Sequence, residues 1–318
     1  MDNSPNRRPA GLAGSPLAPA LQDHIRSVVA DWRAGTIYQT CPECSHTRRK
    51  KRAPCLSITT HDDRALFRCH HCQIAGVVWR DGGARLSQAE RAQRQKIADA
   101  DLQRDTARRI GYARQLWNAA LPAAGTPVER YLRHRGFSLS EIPTTLRYAR
   151  LKHPGTKEFH DVMLAAVGYG PVPNAVHRTF LAPNGNGKAR LPDDFDAKLS
   201  LGPIRGLPIR LDGTVDADAA PGSLAIAEGV ENALVAVQEF GVPGWSAISA
   251  GNLPLLRIPA TVSLVTVMAD HDEVGLTKAR EAALVWLDAG LTVRLSLPPN
   301  PGEDFNDMLR RARGKEAA

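Results

Sequence analysis

Residues 264–276 read LVTVMADHDEVGL, an apolar run that ends in a cluster of acidic side chains. The first five residues, LVTVM, have the β-branched and apolar composition of a buried strand. Asp270, Asp272 and Glu273 follow directly, although neighbouring carboxylates repel one another and burial penalises each charge. A compensating positive charge is therefore expected where this strand ends.

The sequence around this stretch alternates between strand-like and helix-like segments from residue 223 onward. This rhythm predicts a parallel sheet with helices on its faces, a Rossmann-like α/β domain. Ligands of such sheets bind beyond the carboxyl ends of the strands. The predicted strands are SLAIA (223–227), GWSAISA (244–250), VSLVTVMA (262–269) and LTVRLSL (291–297), and the predicted helices are VENALVAVQEF (230–240) and LTKAREAALVWLDA (276–289).

Acidic residues follow three of the predicted strands. Glu228 follows the first, Asp270 and Asp272 follow the third, and Asp304 and Asp307 follow the fourth. Carboxylates that converge from separate strand ends are the hard oxygen ligands that Mg²⁺ or Mn²⁺ prefers. The alternative is a set of helix N-caps, because acidic residues are common before helices.

Two Cys-x2-Cys pairs near the N-terminus predict one structural zinc site. The pairs are separated by 24 residues, and the segments LSITT and ALFRC between them have strand character. Four thiolates suit tetrahedral zinc, so the segment reads as a zinc ribbon that has no open catalytic position. We interpret Cys55 as a small buried residue or a spare thiol, although it or a nearby histidine could replace one ligand. The predicted ligands are Cys41, Cys44, Cys69 and Cys72.

A run of five cations lies within this ribbon. Residues 1–125 contain 20 Lys and Arg against 11 Asp and Glu, whereas residues 221–318 contain 8 against 12, so the front is basic and the back acidic. Adjacent cations favour a polyanion, and Phe67 and Trp79 could offer stacking faces, which together indicate single-stranded nucleic acid. A solvated loop is the alternative. The run consists of Arg48, Arg49, Lys50, Lys51 and Arg52.

The middle of the chain is predicted to be an α+β module. TPVERYLRHRGF (126–137) reads as a helix with Thr126 as N-cap, and two strand-like runs, DVMLAAVGYG (161–170) and NAVHRTFLAP (174–183), come after it. The later GNGK is no Walker A motif, because that motif needs Gly and Ser/Thr where this chain has alanine. Candidate phosphate contacts, as against ordinary surface cations, are Arg178, Lys188 and Lys198.

The motifs EGVENAL (228–234), ADHDEVG (269–275) and PGEDFNDML (301–309) resemble the signature of Toprim domains. With a zinc ribbon ahead of them, the chain is similar to the Toprim primases of phages, plasmids and bacterial chromosomes. The resemblance implies RNA primer synthesis on single-stranded DNA from nucleoside triphosphates. It implies that Glu228, Asp270 and Asp272 are catalytic and bind the divalent metal, with Asp304 and Asp307 in support. A separately encoded helicase is a further expected partner.

The predicted domain division follows from these segments. No run of 18 apolar residues is present, so no membrane span is expected and we predict a cytoplasmic protein. The predicted segments are a disordered leader (1–20), the zinc ribbon (21–85), a helical linker (86–125), the α+β part of a primase core (126–220), the Toprim domain (221–312) and a tail (313–318).

Rival functions share parts of this pattern. A non-catalytic DNA-binding protein of recombination also joins zinc to a Toprim domain, and a Toprim nuclease uses similar metals to cleave phosphodiesters. A topoisomerase needs a nucleophilic tyrosine, for which none of the five tyrosines has an evident setting. A degenerate primase that only binds DNA also remains open.

Overall fold

The structure is a computed structural model that describes residues 19–47, 51–81, 86–192, 195–211 and 222–316. The chain divides into two compact units, Met1–Asp105 and Thr106–Ala318. The boundary lies inside helix α2 (Gln88–Ala119), which coincides with most of the predicted linker. Among the described residues, no helix is long and apolar enough to cross a membrane.

The N-terminal unit contains a four-stranded antiparallel sheet with strand order β1-β2-β3-β4. Its core is formed by Ile25, Leu56, Ile58 and Phe67, which are at most 2% exposed. Phe67 therefore packs inward, and the prediction that it offers a stacking face is wrong. The elements are α1 (Pro19–Val28), β1 (Gly35–Gln39), β2 (Leu56–Thr60), β3 (Arg64–Cys69) and β4 (Ala75–Trp79).

The C-terminal unit is built on one ten-stranded sheet that serves both the predicted α+β module and the predicted Toprim domain. The order along the main path is β14-β13-β11-β12-β10-β7-β6-β5, and β8 lies between β7 and β9. The strands are β5 (Leu121–Pro122), β6 (Leu146–Lys152), β7 (Phe159–Val167), β8 (Ala175–Phe180), β9 (Lys198–Leu201), β10 (Ile209–Arg210), β11 (Ser223–Ala227), β12 (Gly244–Ser246), β13 (Leu264–Met268) and β14 (Thr292–Ser296).

Four helices of this unit connect or flank the strands. They are α3 (Pro127–His134), α4 (Val230–Phe240), α5 (Glu273–Asp288) and α6 (Phe305–Glu316). Thr126 caps α3 as predicted, because its side chain accepts a hydrogen bond from the Val128 N–H. The mixed α/β fold is thus confirmed, and the four predicted C-terminal strands form although β12 is only three residues long.

The order in which successive parallel strands join the sheet changes sides at β11. Helix α4 carries the chain from β11 to β12 on one side, and the chain then crosses to β13 on the other side of β11. Helix α5 continues outward from β13 to β14. The carboxyl ends of β11 and β13 therefore lie side by side at a topological switch point, where open α/β sheets bind ligands.

The close packing of β12 on α4 yields a stability prediction. A Cβ at Gly244 would lie 2.2 Å from the carbonyl oxygen of Ala233, whereas one at the exposed Gly170 meets nothing within 4 Å. We expect Gly244→Ala to lower the free energy of unfolding by about 1–3 kcal/mol in urea titrations, because the helix must shift. Equal stabilities for Gly244→Ala and Gly170→Ala would contradict this packing.

Candidate active site

Two half-buried carboxylates lie at the switch point. Glu228 follows β11 directly, and Asp270 lies two residues beyond the end of β13. The strands pair in parallel with Ala227 opposite Met268, so both acidic side chains leave the same edge of the sheet. The backbone N–H of Ala250 donates to the Glu228 carboxylate. The predicted convergence of acids from separate strands therefore holds for this pair.

A hydrogen-bonded chain fixes the orientation of Asp270. The Asn232 side-chain amide donates to Asp270 Oδ1 over 2.8 Å, and the Asn232 oxygen accepts from the backbone N–H of Asn306 over 3.0 Å. The Asn306 side chain in turn donates to the carbonyl oxygen of Arg135. Asn232 and Asn306 are at most 3% exposed. Helices α4 and α6 are thus tied to the end of β13 at the position of this carboxylate.

The remaining acids begin helices, as the N-cap alternative describes. Asp272 caps α5 by accepting from the Gly275 N–H over 2.7 Å, and its residue is exposed. Asp304 accepts from the Asp307 N–H over 2.8 Å at the start of α6, and Asp307 lies in the first helical turn. Their charges still reach the site, because Asp304 and Asp272 raise the pKa of Asp270.

Burial and repulsion by neighbouring carboxylates raise the pKa values of Glu228 and Asp270 toward pH 7. Burial, followed by the charge of Asp270, raises the pKa of Glu228 to about 7, and burial together with Asp304 and Asp272 raises the pKa of Asp270 to about 6. Such carboxylates fit a divalent cation, since added positive charge would relieve both penalties. The oxygens of Glu228, Asp270 and Asp272 do not all lie within 4.8 Å of one another, so their joint binding of a cation stays a prediction.

Two lysines and one glutamate form an ion-pair cluster beside these acids. Glu231 is 4% exposed, and its Oε1 contacts Lys188 Nζ at 3.0 Å while its Oε2 contacts Lys198 Nζ at 3.4 Å. The buried Tyr131 hydroxyl also donates to Oε1 over 2.5 Å. The two lysine charges hold the pKa of Glu231 well below its usual range. The charge of Lys198 also lowers the pKa of Glu228 and of Asp270, so this cluster adjoins the acidic pair.

The local backbone explains where each lysine lies. Lys188 follows a tight turn at Gly185, whose φ is +76° and where a Cβ would lie 2.5 Å from the Pro127 carbonyl oxygen of the α3 segment. Lys198 begins β9 and pairs with Thr179 of β8. Arg178 is the next residue along β8, and alternation along a strand directs it to the opposite face. The structure therefore brings Lys188 and Lys198 together but does not bring Arg178 to them.

Four cysteine thiols converge in the N-terminal unit. Within the described ranges, Cys41, Cys44, Cys69 and Cys72 are the only group of three or more potential ligands whose atoms all lie within 4.8 Å. The Cys41–Cys72 and Cys44–Cys69 sulfur distances are 3.9 and 3.6 Å. Zinc–sulfur bonds of about 2.3 Å in a tetrahedron require sulfurs about 3.8 Å apart, so the cluster fits the predicted zinc.

The fifth cysteine lies beside the cluster rather than in it. Cys55 is 5% exposed, and its sulfur lies 3.9 Å from that of Cys44 and 3.8 Å from the Ser45 hydroxyl. Its sulfur does not lie within 4.8 Å of all four of the other sulfur atoms. Its placement agrees with the interpretation of Cys55 as a buried residue or spare thiol, and the four-cysteine set leaves no vacancy for a histidine.

The predicted nucleic-acid face of the ribbon is described only in part. Lys51 and Arg52 are exposed, while the predicted contacts Arg48, Arg49 and Lys50 lie outside the described residues. Trp79 is half-buried, and the guanidinium groups of Arg94 and Arg64 lie 4.6 and 5.7 Å from its ring centroid. A base that stacks on Trp79 would therefore meet arginine at the same ring.

Sequence reasoning missed the residues that position the acids and lysines. Glu231 and Asn232 were visible in EGVENAL, but the motif does not indicate that one binds lysines and the other binds Asp270. Tyr131 and Asn306 act across 100 and 74 residues of sequence. Helical spacing gives a usable signal, because Glu231 shares a face of α4 with the apolar Leu234 and Val235, three and four positions later.

The parallel part of the sheet, with acids at its switch point, places the C-terminal unit in the Rossmann-like class. Within that class, residues 223–316 match the Toprim domain family, so the chain carries a Toprim domain. Residues 107–211 match a domain of unknown function, DUF7146. The resemblance to Toprim primases is thus confirmed in its Toprim domain and in its four-cysteine cluster. No curated protein matches the chain.

Solved structures with similar folds include three primase fragments. A DNA primase domain from Pseudomonas aeruginosa is 14% identical, with a TM-score of 0.43 over 66% of this chain and 77% of that one. The zinc-binding and RNA polymerase domains of the Aquifex aeolicus primase are 13% identical, with a TM-score of 0.44 over 93% and 83%. The primase fragment of the bacteriophage T7 primase-helicase protein is 12% identical, with a TM-score of 0.38 over 88% and 97%.

The cysteine geometry predicts the outcome of single substitutions. We expect Cys69→Ser to reduce bound zinc well below one ion per chain, measured by atomic emission after dialysis, because three thiolates bind zinc more weakly than four. The matched Cys55→Ser variant is expected to keep one zinc ion per chain. Loss of zinc from Cys55→Ser would instead place Cys55 among the ligands.

The raised pKa of Glu228 predicts a pH-dependent stability in metal-free buffer. The folded state binds the proton of the Glu228 carboxyl group more tightly than the unfolded state does. The contribution of this proton to folding stability is therefore fully present below pH 4.5 and is lost as the pH rises toward 7. We expect the melting temperature of Glu228→Gln to rise relative to that of the parent across this interval. Buried His177 has a lowered pKa, so its contribution makes stability rise with pH. Taking the difference between the two melting temperatures cancels this contribution, because both proteins contain His177. A constant difference would contradict the shift.

Proposed function

We propose that this chain is a DNA primase, which synthesises short RNA primers on single-stranded DNA from nucleoside triphosphates by metal-dependent nucleotidyl transfer. The observation that carries the proposal is the meeting of opposite charges at one sheet edge of the Toprim domain. Glu228 and Asp270 leave adjacent parallel strands and offer oxygen ligands for a cation, and Lys198, which contacts Glu231 three residues after Glu228, partly offsets the rise in both of their pKa values. A polyphosphate chain requires both kinds of group.

The reaction needs a bound triphosphate and an activated hydroxyl. The 3′-hydroxyl of one nucleotide attacks the α-phosphate of the next, and pyrophosphate leaves. A divalent cation at Glu228, Asp270 and Asp272 would supply positive charge beside the phosphates. Lys188 and Lys198 bind phosphate oxygens from the other side, since each side chain is about one-third exposed, at 34% and 38%.

Glu228 is suited to proton transfer as well as to ligation. In the metal-free protein burial raises the pKa of Glu228 to about 7, so this carboxyl group exchanges a proton near neutral pH, and with a cation bound nearby it would be ionised and able to accept the proton of the attacking hydroxyl. Asp270 keeps one orientation because Asn232 donates to its Oδ1. Asp304 and Asp307 do not contact the reacting atoms. The charge of Asp304 acts on Asp270, and the two residues stabilise the start of α6.

The zinc-binding unit is proposed to engage the template. Its exposed Lys51 and Arg52 extend a basic run that suits a DNA backbone. A separately encoded helicase is the remaining proposed partner, and the cytoplasm is the proposed location. A Toprim nuclease would use the same carboxylates and a recombination protein would need none of them, so template integrity and DNA binding are measured alongside synthesis.

Primer synthesis tests the proposal directly. Zinc-loaded protein is given single-stranded DNA, labelled ribonucleotides and Mg²⁺, and short RNA is expected. Asp270→Ala and Asp272→Ala are each expected to lower the product at least about 100-fold, above the 10–100-fold cost of losing an outer-shell group. The exposed Asp288, at the end of α5, provides the control Asp288→Ala, which should retain activity.

Two outcomes would contradict the primase proposal. Shortened template DNA without RNA, lost in the Asp270→Ala variant, would assign the site to a nuclease. Retained DNA binding without either product, on varied templates and with a helicase supplied, would assign the chain to a binding protein.

A further inference from the structure

Glu231 is the most buried acidic side chain beside the switch point, yet its geometry is unlike that of a metal ligand. Both carboxylate oxygens already have partners, Tyr131 and Lys188 on Oε1 and Lys198 on Oε2. A cation would have to displace an ammonium group to reach it. The Glu231 carboxylate and its partners come from four separate segments. Glu231 lies on α4 and Tyr131 on α3, while Lys188 follows the Gly185 turn and Lys198 begins β9.

The cluster joins more groups than a simple ion pair. Glu231 contacts two ammonium groups at once, and the charge of Lys198 also acts on the neighbouring Glu228 and Asp270. An ammonium group has three N–H donors, and Lys188 and Lys198 each contact one oxygen of Glu231, so each retains N–H donors for a ligand. Two such groups at one carboxylate form a pair whose spacing is set before a ligand binds.

We propose that Glu231 is a positioning residue that holds the Lys188 and Lys198 ammonium groups as a preformed clamp for the phosphates of an incoming nucleotide. The inference rests on the proposed nucleotidyl transfer and deepens it. Fixing both cations before binding removes the cost of ordering two flexible side chains when the ligand arrives. Glu231 itself contacts no substrate.

Removal of the Glu231 charge should therefore weaken the binding of phosphates. In Glu231→Gln the two half-buried ammonium groups face each other without a counter-ion, so one loses its proton or moves into solvent. We expect affinity for inorganic tripolyphosphate, measured by calorimetry at one fixed Mg²⁺ concentration for all variants, to fall on the order of 10–100-fold, the scale of a misplaced binding group. The KM for nucleotide should rise by a similar factor with kcat changing less.

The control is Glu239→Gln, an exposed residue on the same helix that also forms a salt bridge, there with Arg313. It should leave tripolyphosphate affinity unchanged. A site that acted only through net charge would bind tripolyphosphate more tightly in Glu231→Gln, because a negative charge is gone. Tighter or unchanged binding in that variant, or no binding by the parent protein, overturns the proposal.

A double-mutant comparison separates positioning from loss of fold. In a Lys188→Met/Lys198→Met background, adding Glu231→Gln should have no further effect on the residual tripolyphosphate affinity, whereas a structural defect would lower it again. Melting temperatures of all variants identify any that unfold, and Tyr131→Phe, which removes only one hydrogen bond to Oε1, offers a milder variant with a smaller loss in the same direction. Tripolyphosphate binding without primer synthesis would refute the proposed function and leave the clamp standing.

Discussion

Charge that is taken out of water must be balanced, and the C-terminal unit balances it in two ways at neighbouring points. Glu231 is buried and fully balanced from within, by two lysines and a tyrosine hydroxyl, so its pKa falls well below the usual range. For Glu228 and Asp270, the attraction of Lys198 is weaker than the cost of burial together with repulsion by neighbouring acids, and their pKa values rise to about 7 and about 6. The protein stabilises the first carboxylate for structure and leaves the other two able to bind a cation or a proton.

The topology of the sheet makes this contrast possible. Because β12 and β13 lie on opposite sides of β11, the helices that follow β11 and β13 diverge and leave an open edge between them. Helix α4 starts two residues after Glu228, which turns Glu231 inward and Asn232 toward β13. The antiparallel strands of the same sheet then deliver Lys198 to that edge. Neither half of the sheet holds the whole site, so the predicted α+β module and Toprim domain act as one unit.

Local patterns in the sequence predicted most elements and the four-cysteine cluster, because periodicity and paired spacing are local properties. The strands at 223–227 and 264–268 and the four-cysteine cluster all form where the residues indicated. The partners of Asp270 and Glu231 were not predictable, since they come from residues up to 100 positions away. Arg178 shows a second limit, because membership of a basic segment does not give the face of the strand. Phe67 shows a third, since an aromatic residue in a ribbon is as well suited to the core as to a ligand.

The electrostatics of the open edge constrain the order of events in the proposed reaction. Among the described residues, the five carboxylates of Glu228, Glu231, Asp270, Asp272 and Asp304 outnumber the nearby cations Lys188, Lys198 and Arg135, so the edge carries excess negative charge when all are ionised. A triphosphate is itself polyanionic and is repelled from such an edge unless cations enter before it or with it. The clamp of Lys188 and Lys198 then fixes where the phosphates lie, while the cations decide whether they enter. Separate groups thus set position and affinity, since the lysines act on the phosphates directly and the carboxylates act on them through the cations.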